Sequence, residues 1–298
     1  MKTHTSDLLL TAIAPMIWGS TYIVTTQFLP EFSPMTVALL RALPAGLLLL
    51  LIVRRLPQGI WWPRVFLLGA LNFSFFWSML FISAYRLPGG VAATVGAVQP
   101  LIVVFIAAGL LGKSIRMISL ISAVVGLAGV ALLVLTPGAS LDNVGVLAGL
   151  AGALSMAFGT VLTRKWQPPV SLLTFTAWQL TAGGILLFPV ALMFEPSLPV
   201  PTATNLLGLA WLGLIGGVVT YILWFRGVAR IEPAIVSLLG FLSPATAVLL
   251  GWLFLNQSLT PLQITGVLLV IGSIWLGQRA DRAASARREK IGTERPAS

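Results

Sequence analysis

Side chains that interrupt long apolar runs are where this sequence can do chemistry. Trp18 and Tyr22 are four residues apart, and Asn72 and Phe76 repeat that spacing with Trp77 adjacent. Each pair therefore shares one face of a helix. Trp178 and Gln179 stand together in mid-run, Tyr221 and Trp224 are three apart, and Gln99 and Ser243 each precede a proline. Such a set can bind. An amide meets a carboxylate or an ammonium, and an indole face meets a ring or a cation. Catalysis has no such footing. There is no cysteine, and the single histidine, His4, lies outside the apolar runs. The acidic residues Asp7, Glu31, Asp142, Glu195, Glu232, Asp281, Glu289 and Glu294 are expected in loops or tails, scattered singly. A membrane enzyme acting on lipid-linked substrates would need an acid, a base or a metal site near the headgroups. No metal or cofactor is expected.

Arg41 is the one basic residue well inside an apolar run, about one-third of the way in. A charge there costs roughly 2.5–3.5 kcal/mol on insertion scales. Two readings stay open: a counter-charge for a substrate carboxylate, or a side chain snorkelling to the near surface or bonding helix-end carbonyls. For Trp77 and Trp178, both placed in mid-span, cavity lining competes with lipid-facing or core packing. Interfacial anchoring suffices for Trp61, Trp62, Trp166 and Trp275. Asn72, Gln99 and Gln179 serve either as ligand contacts or as hydrogen-bonding glue between helices. Pro100 and Pro244 each remove a backbone donor inside a helix, and Gly96 and Gly240 lie four residues earlier. These paired helices are expected to bend, as gates or as static kinks. Gly126, Gly129, Gly266 and Gly272 read as close-packing faces.

The elements holding these residues follow from composition. Hydrophobic residues make up 57% of the chain and charged residues 9%, against about 25% charged in a soluble domain. A bilayer-crossing helix needs about 20 mostly apolar residues. Breaks at Gly, Pro and charges predict ten such helices, at 8–29, 35–53, 64–84, 89–111, 118–136, 144–165, 171–194, 204–227, 233–255 and 262–278. The fold class is an all-α polytopic membrane protein whose partners are membrane lipids and a small molecule. The net charge of +10 does not point to nucleic acid, because topology explains it. With both termini cytoplasmic, Lys2, Arg54, Arg55, Arg64, Lys113, Arg116, Arg164, Lys165, Arg226, Arg230 and the tail residues fall on one side, and Arg86 alone on the other. That asymmetry predicts the orientation.

Sliding the chain by 144 residues lays Gly69 on Gly213, Trp77 on Tyr221, Phe81 on Phe225, Arg86 on Arg230, Gly96 on Gly240 and Pro100 on Pro244. A shift of 140 lays Met16 and Gly19 on Met156 and Gly159. The reading is two five-helix repeats, 1–140 and 141–278, followed by a basic cytoplasmic tail, 279–298. Five spans is an odd number, so the second copy is inverted. Inverted repeats place a binding site near the midplane and provide alternating access.

The run Phe254-Leu-Asn-Gln-Ser-Leu-Thr-Pro-Leu-Gln-Ile-Thr-Gly266, with Trp18-Gly19, Ser33-Pro34 before Arg41, and Pro100, resembles EamA-type carriers of the drug/metabolite transporter superfamily. Within it the chain is similar to the YddG-type amino-acid exporters. The resemblance implies ten helices in two repeats, residence in a bacterial inner membrane, and export of amino acids, aromatic or other neutral ones among them, and related metabolites. The family often carries Glu where this chain has Lys113 and Gln257, which implies altered loop contacts. With no carboxylate or histidine expected inside a span, a proton relay is disfavoured. Transport down the substrate's own gradient fits better, and Na⁺ coordination by buried carbonyls stays open. A channel and a translocator of nucleotide-sugar or lipid-linked substrates are the alternatives. A phosphate-bearing substrate would call for several inward cations, and Arg41 stands alone.

Overall fold

The computed structural model describes residues 2–87, 89–134, 142–196, 198–255 and 260–293. Ten helices in it are long and apolar enough to cross a membrane: Thr5–Phe28, Pro34–Val53, Trp61–Ser83, Ala92–Leu111, Met117–Val134, Asn143–Lys165, Leu172–Phe194, Ala203–Arg230, Pro233–Phe254 and Pro261–Arg279. They are numbered here as the first to tenth spans, and every end lies within three residues of the expected one. Helix starts use local chemistry. Pro34 fills a first-turn position where its missing N–H costs no bond. The side chains of Asp142, Ser171 and Thr202 accept the free N–H groups of the helices they precede. Leu51, Leu192 and Leu268 are 72%, 68% and 64% exposed and belong to a broad apolar surface, such as lipid tails cover.

The loops gather at two ends. At the basic end, Asp7 meets Arg226 and Arg230, and Lys113 meets Glu232. At the opposite end Glu195 accepts the Met35 N–H at 3.0 Å, and Arg86 faces Asp142 at 3.7 Å. Between them the second span packs along the seventh and the fifth along the tenth. The first span rests on the eighth and ninth, and the sixth on the third and fourth. Glycine permits the closest crossings. A Cβ on Gly46 would lie 2.5 Å from the Thr181 backbone nitrogen, and one on Gly266 would lie 2.7 Å from the Gly129 carbonyl. Such small-residue faces let helix backbones approach where lipid gives no hydrophobic drive.

Four interruptions shape the middle of the bundle. The third span becomes π-helical over Ala70–Ser74 and the eighth over Trp211–Val219. The fourth and ninth spans break at residues 97–98 and 240–241. Pro100 then occupies the first turn of Gln99–Leu111, and Pro244 the first turn of Leu242–Phe254. Both helices are thus interrupted next to the prolines, which cannot donate to the preceding turn. The first span also breaks, at Ser20, which no proline or charge signals.

Two expectations are corrected, at Asp7 and at Gly272. Asp7 is not in a tail: it lies in the helix Lys2–Gly19, 8% exposed, and two guanidiniums compensate its charge there. The tail beyond Arg279 carries Asp281 and Glu289 on an extension of the last helix to Thr293, and Glu294 lies outside the described residues. A Cβ on Gly272 would meet nothing within 4 Å, so this glycine is no packing face, whereas Gly126, Gly129 and Gly266 are tightly packed.

Candidate functional site

The residues singled out by type and spacing come together mainly where the first, second, third and eighth spans cross. Arg41 enters from the second span and is 8% exposed. Its guanidinium lies 4.5 Å from the centroid of the Trp77 ring and donates from Nη2 to the Gly216 carbonyl at 3.2 Å. It does not snorkel to the surface: its partners belong to the third and eighth spans. Trp18 reaches the same place from the first span. Its indole N–H lies 3.1 Å from the Gly216 carbonyl and 2.9 Å from Thr220 Oγ1, and the Thr220 hydroxyl donates to that carbonyl at 2.7 Å. A π-helical turn leaves carbonyls out of regular i to i−4 pairing, and here one of them collects three side-chain donors.

Rings complete the cluster. Trp18 lies 5.1 Å from both Tyr221 and Trp224, and Phe73 lies 4.5 Å from Tyr221 and 5.3 Å from Trp77. Phe73 and Trp77 meet edge to face, an arrangement that aromatic quadrupoles favour, and the other pairs are tilted. Trp77, Tyr221 and Trp224 are buried, so the cluster is closed to water in this conformation.

A second polar group sits at the other π-helical turn. Asn72 donates to Gln179 Oε1 at 2.8 Å and to Thr163 Oγ1 at 3.4 Å, joining the third, seventh and sixth spans. Ser155 of the sixth span donates to the Leu71 carbonyl at 2.9 Å. Gln179 Nε2 is buried without a partner, as are Arg41 Nε and Gln99 Nε2.

Other expected residues stand apart. Trp178 is near the basic end, not in mid-span: its indole N–H donates to the Arg55 carbonyl at 2.6 Å. Gln99 and Ser243 are half-buried at the two helix breaks, and the Ser243 carbonyl would lie 2.6 Å from a Cβ on Gly19. Gly96 and Gly240 precede those breaks. Phe76 is half-buried against the core. Tyr22 lies on the helix Thr21–Phe28, and its side chain is outside the described residues. Lys113 pairs with Glu232 at 3.0 Å, tying the fourth span to the ninth, while Gln257 lies outside the described residues.

Sequence reasoning missed Gly216, Thr220, Phe73 and Thr163. One signal was present. The 144-residue shift lays Asn72 on Gly216 and carries 70–74 onto 214–218, inside the second π-helical turn.

A family model for the EamA-like transporter family matches the chain twice, over residues 5–135 and 143–277. Protein PecM of Dickeya dadantii (strain 3937) is 46% identical over 280 residues, covering 93% of each chain. The uncharacterized inner membrane transporter YedA of Escherichia coli (strain K12) is 29% identical over 241 residues, covering 79% of this chain and 78% of its own. A crystal structure aligns with a TM-score of 0.80 at 21% identity, over 93% of this chain and 99% of the other, and so shares the fold.

Proposed function

Because this chain belongs to the EamA-like transporter family, we propose that it exports amino acids and related small metabolites across a bacterial inner membrane by alternating access. It is a multi-pass transporter, not an enzyme. The finer reading rests on one observation: a buried guanidinium, aromatic rings and paired amides meet where spans of both halves cross. An amino acid offers what such a centre binds, a carboxylate for the cation and an apolar or aromatic side chain for the rings.

The halves are read as inverted repeats with both termini cytoplasmic. In support, the family model matches once in each half, and the π-helical turns and proline breaks recur near the 144-residue shift. The packing obeys the same exchange, with the first span on the eighth and the sixth on the third. Bending at Pro100 and Pro244 then opens one side while the other closes. The closed aromatic centre is taken as an occluded stage of that cycle.

Asp7 bears on the driving force, since it is a buried carboxylate within a span. It is held by two guanidiniums toward one helix end, so it stays an ion-pair partner and not a proton carrier. The substrate's own gradient drives export. Counterflow in proteoliposomes across a panel of amino acids tests the reading: saturable exchange supports it. No exchange of any amino acid by folded protein overturns it.

A further inference from the structure

We propose that Arg41 is a two-position switch: empty, it pins the π-helical turn of the eighth span through Gly216, and loaded, it exchanges that carbonyl for a substrate carboxylate. The inference rests on the transport reading above and assigns the chemical group that the site recognises.

Three observations carry it. First, Arg41 is a buried cation, and no carboxylate among the described residues pairs with it. An uncompensated buried charge is expensive, and one carbonyl with one indole face meets only part of its demand.

Second, the unmet demand has a shape. Arg41 Nε is buried without a partner, while Nη2 makes the bond to Gly216. Nε–H and the neighbouring Nη2–H form one edge of the guanidinium fork, whose spacing matches the two oxygens of a carboxylate. A carboxylate seated on that edge satisfies the orphan donor and replaces the carbonyl in a single step. A neutral amide brings no charge, and beside its one oxygen it sets an N–H donor where the fork needs a second acceptor.

Third, the carbonyl can be given up. Gly216 O also accepts from Trp18 and Thr220, and a carbonyl oxygen has two lone pairs. Releasing Arg41 therefore leaves it fully bonded. What is lost is the bridge between the second and eighth spans, at an irregular turn of the eighth. Recognition of the carboxylate thus frees the π-helical turn to move. The bound molecule is a small monocarboxylate with an apolar or aromatic body, packed against Trp77 and Tyr221.

Phenylacetate and its neutral isostere phenylacetamide separate the carboxylate from the ring. Binding to the purified full-length protein, read by intrinsic tryptophan fluorescence, should favour the acid by about tenfold or more. Arg41→Gln should erase the preference by weakening acid binding more than amide binding, and a cooperative thermal unfolding transition like that of the wild type shows that the variant is folded. Arg41→Lys, a charge without the fork, should keep a reduced preference. No preference in the wild type, or a preference that survives Arg41→Gln, overturns the proposal.

Spin labels at Leu48→Cys and Leu214→Cys, both outward-facing in a chain without cysteine, report the hinge. Their separation should change with phenylacetate in the wild type and not in Arg41→Gln. An unchanged distance in the wild type overturns the switch. Counterflow of amino acids that persists after these failures leaves the transport reading standing. Loss of all counterflow with an intact acid preference removes that reading instead.

Discussion

Asn72 and Gln179 are joined by a 2.8 Å hydrogen bond across the third and seventh spans, and they mirror Gly216 and Arg41. Asn72 lies 144 residues before Gly216, and Gln179 lies 138 after Arg41. Each half thus sends a polar side chain from its second helix to the π-helical turn of the other half. One bridge is a pair of neutral amides, and the other sets a cation on a backbone oxygen.

The amide bridge should be measurable by a double-mutant cycle. Asn72→Ala and Gln179→Ala each remove one partner, and their coupling in thermal or denaturant unfolding should be about 1 kcal/mol. Asn72→Ala should be the costlier single change, because it also loses Thr163 and opens space beside Gly159. A coupling near zero would show that the two amides act independently.

Asp7 holds Arg226 at 2.7 Å and Arg230 at 3.1 Å from the first turns of the first helix. Asp7→Asn leaves two guanidiniums facing a neutral amide and should lower stability by about 1–3 kcal/mol, less than for a fully buried pair. Arg226→Gln should cost less, since Arg230 remains, and Arg230→Gln least, since its side chain is 53% exposed. Unfolding midpoints of the three variants check that order.

Small residues at the fifth and tenth spans set a contrast. Gly266→Ala would press a methyl against the Gly129 carbonyl at 2.7 Å and the Leu133 nitrogen at 3.0 Å. Overpacking of this kind costs about 1–3 kcal/mol. Gly272→Ala meets nothing within 4 Å and should be neutral or mildly stabilising, as alanine is the better helix former. Equal effects of the two would contradict the packing described for these spans.

Pro100 and Pro244 head the second segments of the two interrupted spans. If these breaks are gates, Pro100→Ala should slow substrate exchange while leaving phenylacetate binding within about twofold of wild type. Rates and affinities falling together would instead mark the prolines as structural.

The spans were legible because each is a run of apolar residues closed by Gly, Pro or charge, which hydropathy reads directly. The breaks were legible from Pro100 and Pro244, since a missing N–H is a property of the residue type. Arg41 was legible as an unusual charge, but its partner Gly216 is 175 residues away and offers only a backbone oxygen. Asp7 read as part of a tail because its partners lie 219 and 223 residues later. Trp178 was misplaced in depth, since an apolar run fixes neither tilt nor depth. Gly272 is six residues from Gly266 and so lies on a different helical face, a distinction that the spacing alone carries.

Alternating access requires the middle of the bundle to open to each side of the membrane in turn. Since the chain has no cysteine, Gln99→Cys and Ser243→Cys, placed singly at the two helix breaks, can be tested with an impermeant thiol reagent on right-side-out and inverted vesicles. Both cysteines should react from either face, and saturating phenylacetate should change both rates. Reaction from one face only, or from neither, in protein that still exchanges substrate would contradict alternating access through this centre.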